Sequence, residues 1–263
     1  MSSLTISIIQ TNLFWEDKAA NLEMLGRKII NIFQKTELVI LPEMFTTGFS
    51  MKPVTFGETM DGPTIQWMKD IAARKKIIIT GSLIIEENGA YFNRLIWMLP
   101  NGELGYYNKR HLFAFGDEHN HYSPGNKKLI ASVKGWKINL QVCYDLRFPV
   151  WARQTPGADE NKYDLMINVA NWPEKRSTAW KTLLAARAIE NQCYVIGVNR
   201  VGNDGNNISY DGDSMIIDPL GEIIYQKNKD EDVFTYTLEK ENVIQTRAHF
   251  PFWKDADSFL ITD

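Results

Sequence analysis

Residues 136–149 read WKINLQVCYDLRFP, and they decide how the chain folds. The first seven crowd β-favouring side chains into the length of a buried strand, which ends abruptly at Cys143 and gives way to polar residues. Pro149 suits the first turn of a helix, where its missing N–H costs no hydrogen bond, so a short helix is expected over 145–154. A strand that delivers a cysteine into a helix start sets the sulfur beside unpaired backbone donors, which favour a thiolate and an adjacent anionic intermediate. Tyr144, Asp145 and Arg147 strengthen that reading. The other reading of a lone cysteine is a structural or incidental thiol.

On either side of this stretch the pattern alternates between strand and helix. LTISII over 4–9 is a short strand, and 16–34 brings Ala20, Leu22, Leu25, Ile29, Ile30 and Phe33 to one helical face. Leu38–Leu41 forms a buried strand broken at Pro42. The next helix takes Asp61 as its N-cap and Pro63 in its opening turn. Strands around Ile77–Ile85 and Tyr91–Leu99 carry Asn-Gly turns at 88–89 and 101–102, so the sheet is mixed. Downstream, YDLMINVANW, YVIGVNRVG and SMIID supply strands, KRSTAWKTLLAARAIENQ a long helix, and 231–250 a last strand followed by a helix. No linker or repeat divides the 263 residues, so a single domain over 1–263 with two mixed sheets, each carrying helices on one face, is expected.

Composition narrows the function. Apolar residues at 44% and charged residues at 23% exclude disorder, and the 17 glycines show no collagen-like period. With 29 Lys+Arg against 32 Asp+Glu the formal charge is −3, which gives no attraction to nucleic acid. Two cysteines, Cys143 and Cys193, cannot build a disulfide framework or a four-cysteine metal site. The first residues lack a signal-peptide pattern and no apolar run is long enough to span a membrane, so a soluble cytoplasmic protein is expected.

Two further residues carry possible chemistry. Glu43 follows VILP at the mouth of an apolar strand, where burial would raise its pKa and suit it to take a proton from a thiol; a solvent-facing cap or salt bridge is the alternative. Lys109 in GYYNKRHLF offers a cation for developing negative charge, or simply belongs to an exposed Lys-Arg pair.

Taken together, LPEMFTTGF, YYNKRHLF and QVCYDLRFP resemble, in chain order, the Glu, Lys and Cys signatures of the carbon-nitrogen hydrolase, or nitrilase, superfamily. The resemblance implies a four-layer αββα sandwich of the nitrilase type and a homodimer. It also implies Glu43 as general base, Lys109 as stabiliser of the tetrahedral species, Cys143 as nucleophile, and the Tyr144 backbone amide as an oxyanion donor. Glu118 in FGDEHNHYSPG stands where the family has a further carboxylate, in a supporting role. NVANWPEKRSTAW, YDGDSMIIDPLGEI and AHFPFWKDAD resemble the omega-amidase branch, whose substrates are small amides of 2-oxo dicarboxylic acids such as 2-oxoglutaramate and 2-oxosuccinamate. Another aliphatic amidase, an N-carbamoyl amino acid amidohydrolase, or a noncatalytic protein on the same scaffold are the alternatives.

Arg176 is a candidate partner for the substrate carboxylate, or a solvated arginine at a helix start, while Phe49 and Trp172 either shape the acyl pocket or serve packing. His119 and His121 do not complete a zinc pattern, and Cys193 reads as a buried structural thiol. The expected reactants are a small-molecule amide and water, with no cofactor, no metal, no nucleic acid and no membrane.

Overall fold

The computed structural model describes residues 2–154 and 162–261. Its first half runs β1 (Ser3–Gln10), α1 (Lys18–Ile30), β2 (Leu38–Ile40), α2 (Pro53–Phe56), α3 (Pro63–Lys75), β3 (Ile78–Glu87), β4 (Ala90–Met98) and β5 (Leu104–Asn108). The second half runs β6 (Ile130–Val133), β7 (Trp136–Val142), α4 (Pro149–Ala152), β8 (Leu165–Ala170), α5 (Ser177–Asn191) and β9 (Tyr194–Asn199). It continues with β10 (Val201–Asn203), β11 (Ser209–Ile217), β12 (Ile223–Asn228), β13 (Asp232–Glu239) and α6 (Lys240–His249).

Two mixed sheets result. One has the order β13-β1-β2-β3-β4-β5; the other has β10-β11-β9-β8-β7-β6, with β12 also on β11. Each is built around a parallel trio, β1-β2-β3 in the first and β7-β8-β9 in the second, flanked by antiparallel strands. The late strand β13 returns to pair with β1 from Ser3↔Glu239 to Gln10↔Asp232, which ties the end of the second half to the first sheet.

The strand period of two distributes side chains to two sides. Ile6, Ile8, Leu38 and Ile40 join Ile138, Leu140 and Val142 in one buried cluster, whereas Val39 and Ile79 join Leu25 and Ile29 of α1 and Ile65 and Met68 of α3 in another. On the second sheet α5 lays Trp180 and Leu184 over β9 at Gly197, where a Cβ would meet Leu184 and, at 2.7 Å, Trp180. The order of layers is therefore helix, sheet, sheet, helix, as expected of the αββα sandwich.

Two local expectations are corrected. Helix α1 ends at Ile30, and Phe33 lies beyond it and exposed, while Met24 takes the buried position. Asp61 does not cap α3: it accepts from the Thr59 hydroxyl, Gly62 is the N-cap, and Glu58 Oε2 accepts from Thr64 N at 2.7 Å. The expected Asn-Gly hairpin is present, with positive φ at both Asn88 and Gly89 between β3 and β4. Among the described residues no helix is long and apolar enough to cross a membrane.

Candidate active site

The residues singled out in sequence converge where strands of the two sheets end. Pro42 ends β2, and the following loop is pinned to β3 by Leu41 N to Thr80 O, Met44 N to Ser82 Oγ and Phe45 N to Ser82 O, at 2.8, 2.9 and 3.0 Å. This buries Glu43 completely. Lys109 follows β5, with its N–H on Asn93 O at 3.0 Å and its carbonyl accepting from Gly125 N at 2.9 Å. Glu118 opens a 3-10 turn after Asp117, whose φ of 66° reverses the chain.

Cys143 stands at the first position of the 3-10 helix Cys143–Arg147 with φ 44°. A left-handed conformation at a β-carbon-bearing residue costs about 1 kcal/mol or more and persists only where its surroundings enforce it. Here buried Asp145 supplies the enforcement. Its Oδ2 accepts from Val142 N (3.0 Å) and the Tyr107 hydroxyl (2.7 Å), and its Oδ1 from His111 N (3.0 Å) and paired with His111 Nδ1 (2.8 Å). One carboxylate thereby fastens the cysteine elbow to the segment that carries Lys109.

Lys109 Nζ lies 2.9 Å from Glu43 Oε1 and 2.9 and 2.8 Å from the two Glu118 oxygens. All three side chains are fully buried. Glu118 Oε2 also accepts from Phe113 N at 2.6 Å, and Glu43 Oε2 from Asn171 N at 2.7 Å. Asn171 holds the same glutamate from its other end, with Nδ2 on Glu43 O at 2.6 Å, and its carbonyl is 3.9 Å from Cys143 Sγ.

The electrostatics follow from this crowding. Burial alone would lower the Lys109 ammonium, but the Glu118 and Glu43 carboxylates outweigh it and keep the lysine charged. Burial, followed by the charge of Glu43, pushes the Cys143 thiol well above its ordinary range, and Lys109 offsets only part of this. Glu118 is also raised, by burial first, against the pull of Lys109. Cys143 thus rests as a protonated thiol with Sγ toward Asn171 O, and a base is needed to make it a nucleophile.

Cys143 opens onto a cavity of about 410 Å³. Phe49, Tyr144, Trp172 and Arg176, all expected near the substrate, line it. Phe49 sits against Phe113 at 6.5 Å and under Lys109 Nζ at 5.3 Å, while Trp172 is anchored by Nε1 to Arg176 O at 2.8 Å. Arg176 lies over the Phe113 ring at 5.0 Å, and Arg147 over Trp172 at 4.8 Å. Among the described residues neither guanidinium has a carboxylate partner in an ion pair. His121 pairs with Asp117 at 2.9 Å, at the surface. Cys193 is buried away from this site, its thiol pushed up to about 12 by burial.

Sequence reading passed over Asn93 and Asn171 and took Arg147 only as context. The available signals were an amide inside the apolar strand YFNRLIWM and one at the break of NVANW.

Comparison with known proteins shows the family of the chain. Residues 5–248 match the sequence profile of the family described as Carbon-nitrogen hydrolase. The Escherichia coli protein named Omega-amidase YafV is 42% identical over 262 residues, covering 99% of this chain and all of the relative. A Bacillus subtilis protein named 2-oxoglutaramate amidase is 30% identical over 95% of this chain and 96% of its own length. The crystal structure of XC1258 from Xanthomonas campestris, described as a CN-hydrolase superfamily protein with an arsenic adduct in the active site, superposes with a TM-score of 0.96 at 47% identity, covering both chains completely.

Proposed function

We propose, for a chain that belongs to the carbon-nitrogen hydrolase family, that it is an omega-amidase converting small 2-oxo dicarboxylic acid monoamides, 2-oxoglutaramate and 2-oxosuccinamate among them, to the 2-oxo acid and ammonia. The observation that carries the reading is the buried Glu43–Lys109–Glu118 ion cluster at Cys143, on a cavity with two arginines that have no carboxylate partner among the described residues. The names of the Escherichia coli and Bacillus subtilis relatives support the substrate class.

Glu43 takes the Cys143 proton as sulfur attacks the amide carbon. The oxyanion forms beside the Tyr144 N–H, at the start of the 3-10 helix, and in the field of Lys109. Lys109 has three hydrogens and three acceptors at rest, so a direct bond to the oxyanion requires one contact to loosen; the bidentate one to Glu118 can do so without leaving that carboxylate unpaired. Protonated Glu43 then gives its proton to the leaving nitrogen, ammonia departs, and a thioester remains on Cys143. Glu43 takes a proton from water as it attacks the thioester, and the thiol is restored when the acid leaves.

Arg147 and Arg176 receive the distal carboxylate, and the aromatic walls of Phe49 and Trp172 keep the acyl chain short. The chain is read as one domain over 1–263 that works as a cytoplasmic homodimer. Steady-state assays with 2-oxoglutaramate, 2-oxosuccinamate, a simple aliphatic amide and an N-carbamoyl amino acid test the assignment. Preference for the two oxoamides is expected; turnover of another class with none of these would overturn it.

A further inference from the structure

Asn93 lies on β4 beside the end of β5, 1% exposed, and is the one neutral side chain that touches both carboxylates of the cluster among the described residues. Its Nδ2 donates to Glu43 Oε1 at 2.8 Å and to Glu118 Oε1 at 3.2 Å, while its backbone carbonyl holds Lys109 N at 3.0 Å. Its Oδ1 is buried and has no hydrogen-bond partner among the described residues. Turning the amide over would give that oxygen a different setting but would aim it at two carboxylate oxygens, so the demand for a donor between the glutamates fixes the orientation.

An ionised carboxylate has about four acceptor positions. Those of Glu118 are filled: Oε1 by Lys109 and Asn93, Oε2 by Lys109 and Phe113 N. Glu43 Oε1 is likewise filled, by Lys109 and Asn93, whereas among the described residues Oε2 accepts only from Asn171 N and keeps an open acceptor position. We propose that Asn93 is a positioning residue of the reaction: by giving one hydrogen to each glutamate it closes the space between them to a proton and leaves Glu43 Oε2 as the oxygen that receives the proton of Cys143. Without it, two neighbouring carboxylates share a proton, as like charges in one site do, and the base is neutralised at pH values where it must be ionised.

The other ionisable groups facing this point do not take over the role. Lys109 already spends its hydrogens on the two glutamates, and Tyr122, which follows Glu118, gives its hydroxyl to Ser50 O at 2.6 Å and is held above its ordinary range by burial and then by the charge of Glu118, with Glu16 a weaker influence. Cys143 is the remaining member and is the proton donor.

The inference rests on Glu43 being the base, so Glu43→Gln is measured alongside. The pH dependence of kcat/KM, and of Cys143 alkylation by iodoacetamide, is recorded for the full-length wild type, Asn93→Leu and Asn93→Asp. Both substitutions should lower kcat/KM about 10- to 100-fold, through kcat rather than KM, the loss expected for hydrogen bonds to a charged group. The acid limb of both profiles should move up by about one pH unit or more, since a carboxylate that loses donors is harder to ionise. Adding Glu118→Gln to Asn93→Leu removes the second carboxylate and should bring the limb back down. Asn93→Asp carries the test if the leucine variant does not fold. An acid limb at its wild-type position in a folded Asn93 variant overturns the proposal, however much activity is lost. If Glu43→Gln keeps wild-type kcat, the base assignment itself has failed; if it is inactive while the limb stays put, only the role of Asn93 has.

Discussion

The protein has two buried, unpaired thiols, and they differ in everything but burial. Cys193 follows α5 into β9 among apolar neighbours, and Cys143 sits on a left-handed residue at the end of β7, against two carboxylates, a lysine and the cavity. Burial pushes both thiols up. Desolvation alone therefore makes an inert thiol, and the nucleophilic role proposed for Cys143 requires a base within reach and donors where charge develops. That contrast can be broken experimentally at several strengths.

The largest effect is expected from Cys143→Ala, which should lower kcat by about 10⁴-fold or more, since the covalent route is lost. Cys193→Ala in the same assay should leave kcat within about twofold, because no reacting group touches it; comparable losses in both would erase the distinction. Next, Glu43→Gln keeps the shape of the site but cannot accept the thiol proton, and should cost about 10³-fold in kcat, at the middle of the range for lost general-base catalysis.

A smaller effect separates binding from chemistry. Arg147→Ala and Arg176→Ala should each raise KM for 2-oxoglutaramate about tenfold, the worth of a charge-assisted hydrogen bond. KM for an amide without a carboxylate should not change; equal losses on both substrates would assign the arginines to packing on Trp172 and Phe113.

The smallest effect concerns stability. Burial pushes the folded Cys193 thiol from an ordinary 9.0 up to about 12, so its contribution is complete below about pH 9 and lost as pH rises toward about 12. Urea unfolding across that interval should show one proton less of pH dependence in Cys193→Ala, and an unchanged slope would mean that the thiol is not held as described.

Much of this was legible in the sequence because it is local. The strand-then-break patterns at Pro42 and Cys143 and the Asn-Gly hairpin depend on a few adjacent residues, and each appears as expected. The two local errors have a local cause of another kind: Phe33 fits the helical period of α1, but the helix stops before it, and the capping oxygen of α3 comes from Glu58, outside the usual cap position. Asn171 and Asn93 were not legible as site residues. Asn171 meets Glu43 across 128 positions of chain, from the end of a strand in the other sheet, and Asn93 meets it across 50, from β4 of the same sheet, so their roles exist only once the tertiary fold has formed. A polar residue within one apolar strand and another at the break of a second were visible; the partners that explain them were not.

The central claim is that Cys143 alone becomes acylated while Cys193 stays free. Rapid quenching of the full-length enzyme during turnover of 2-oxoglutaramate, followed by digestion and mass measurement of both cysteine peptides, tests it directly. The account predicts the mass of the acyl group on the Cys143 peptide and none on the Cys193 peptide. An adduct on Cys193, or continued turnover by Cys143→Ala, would contradict it.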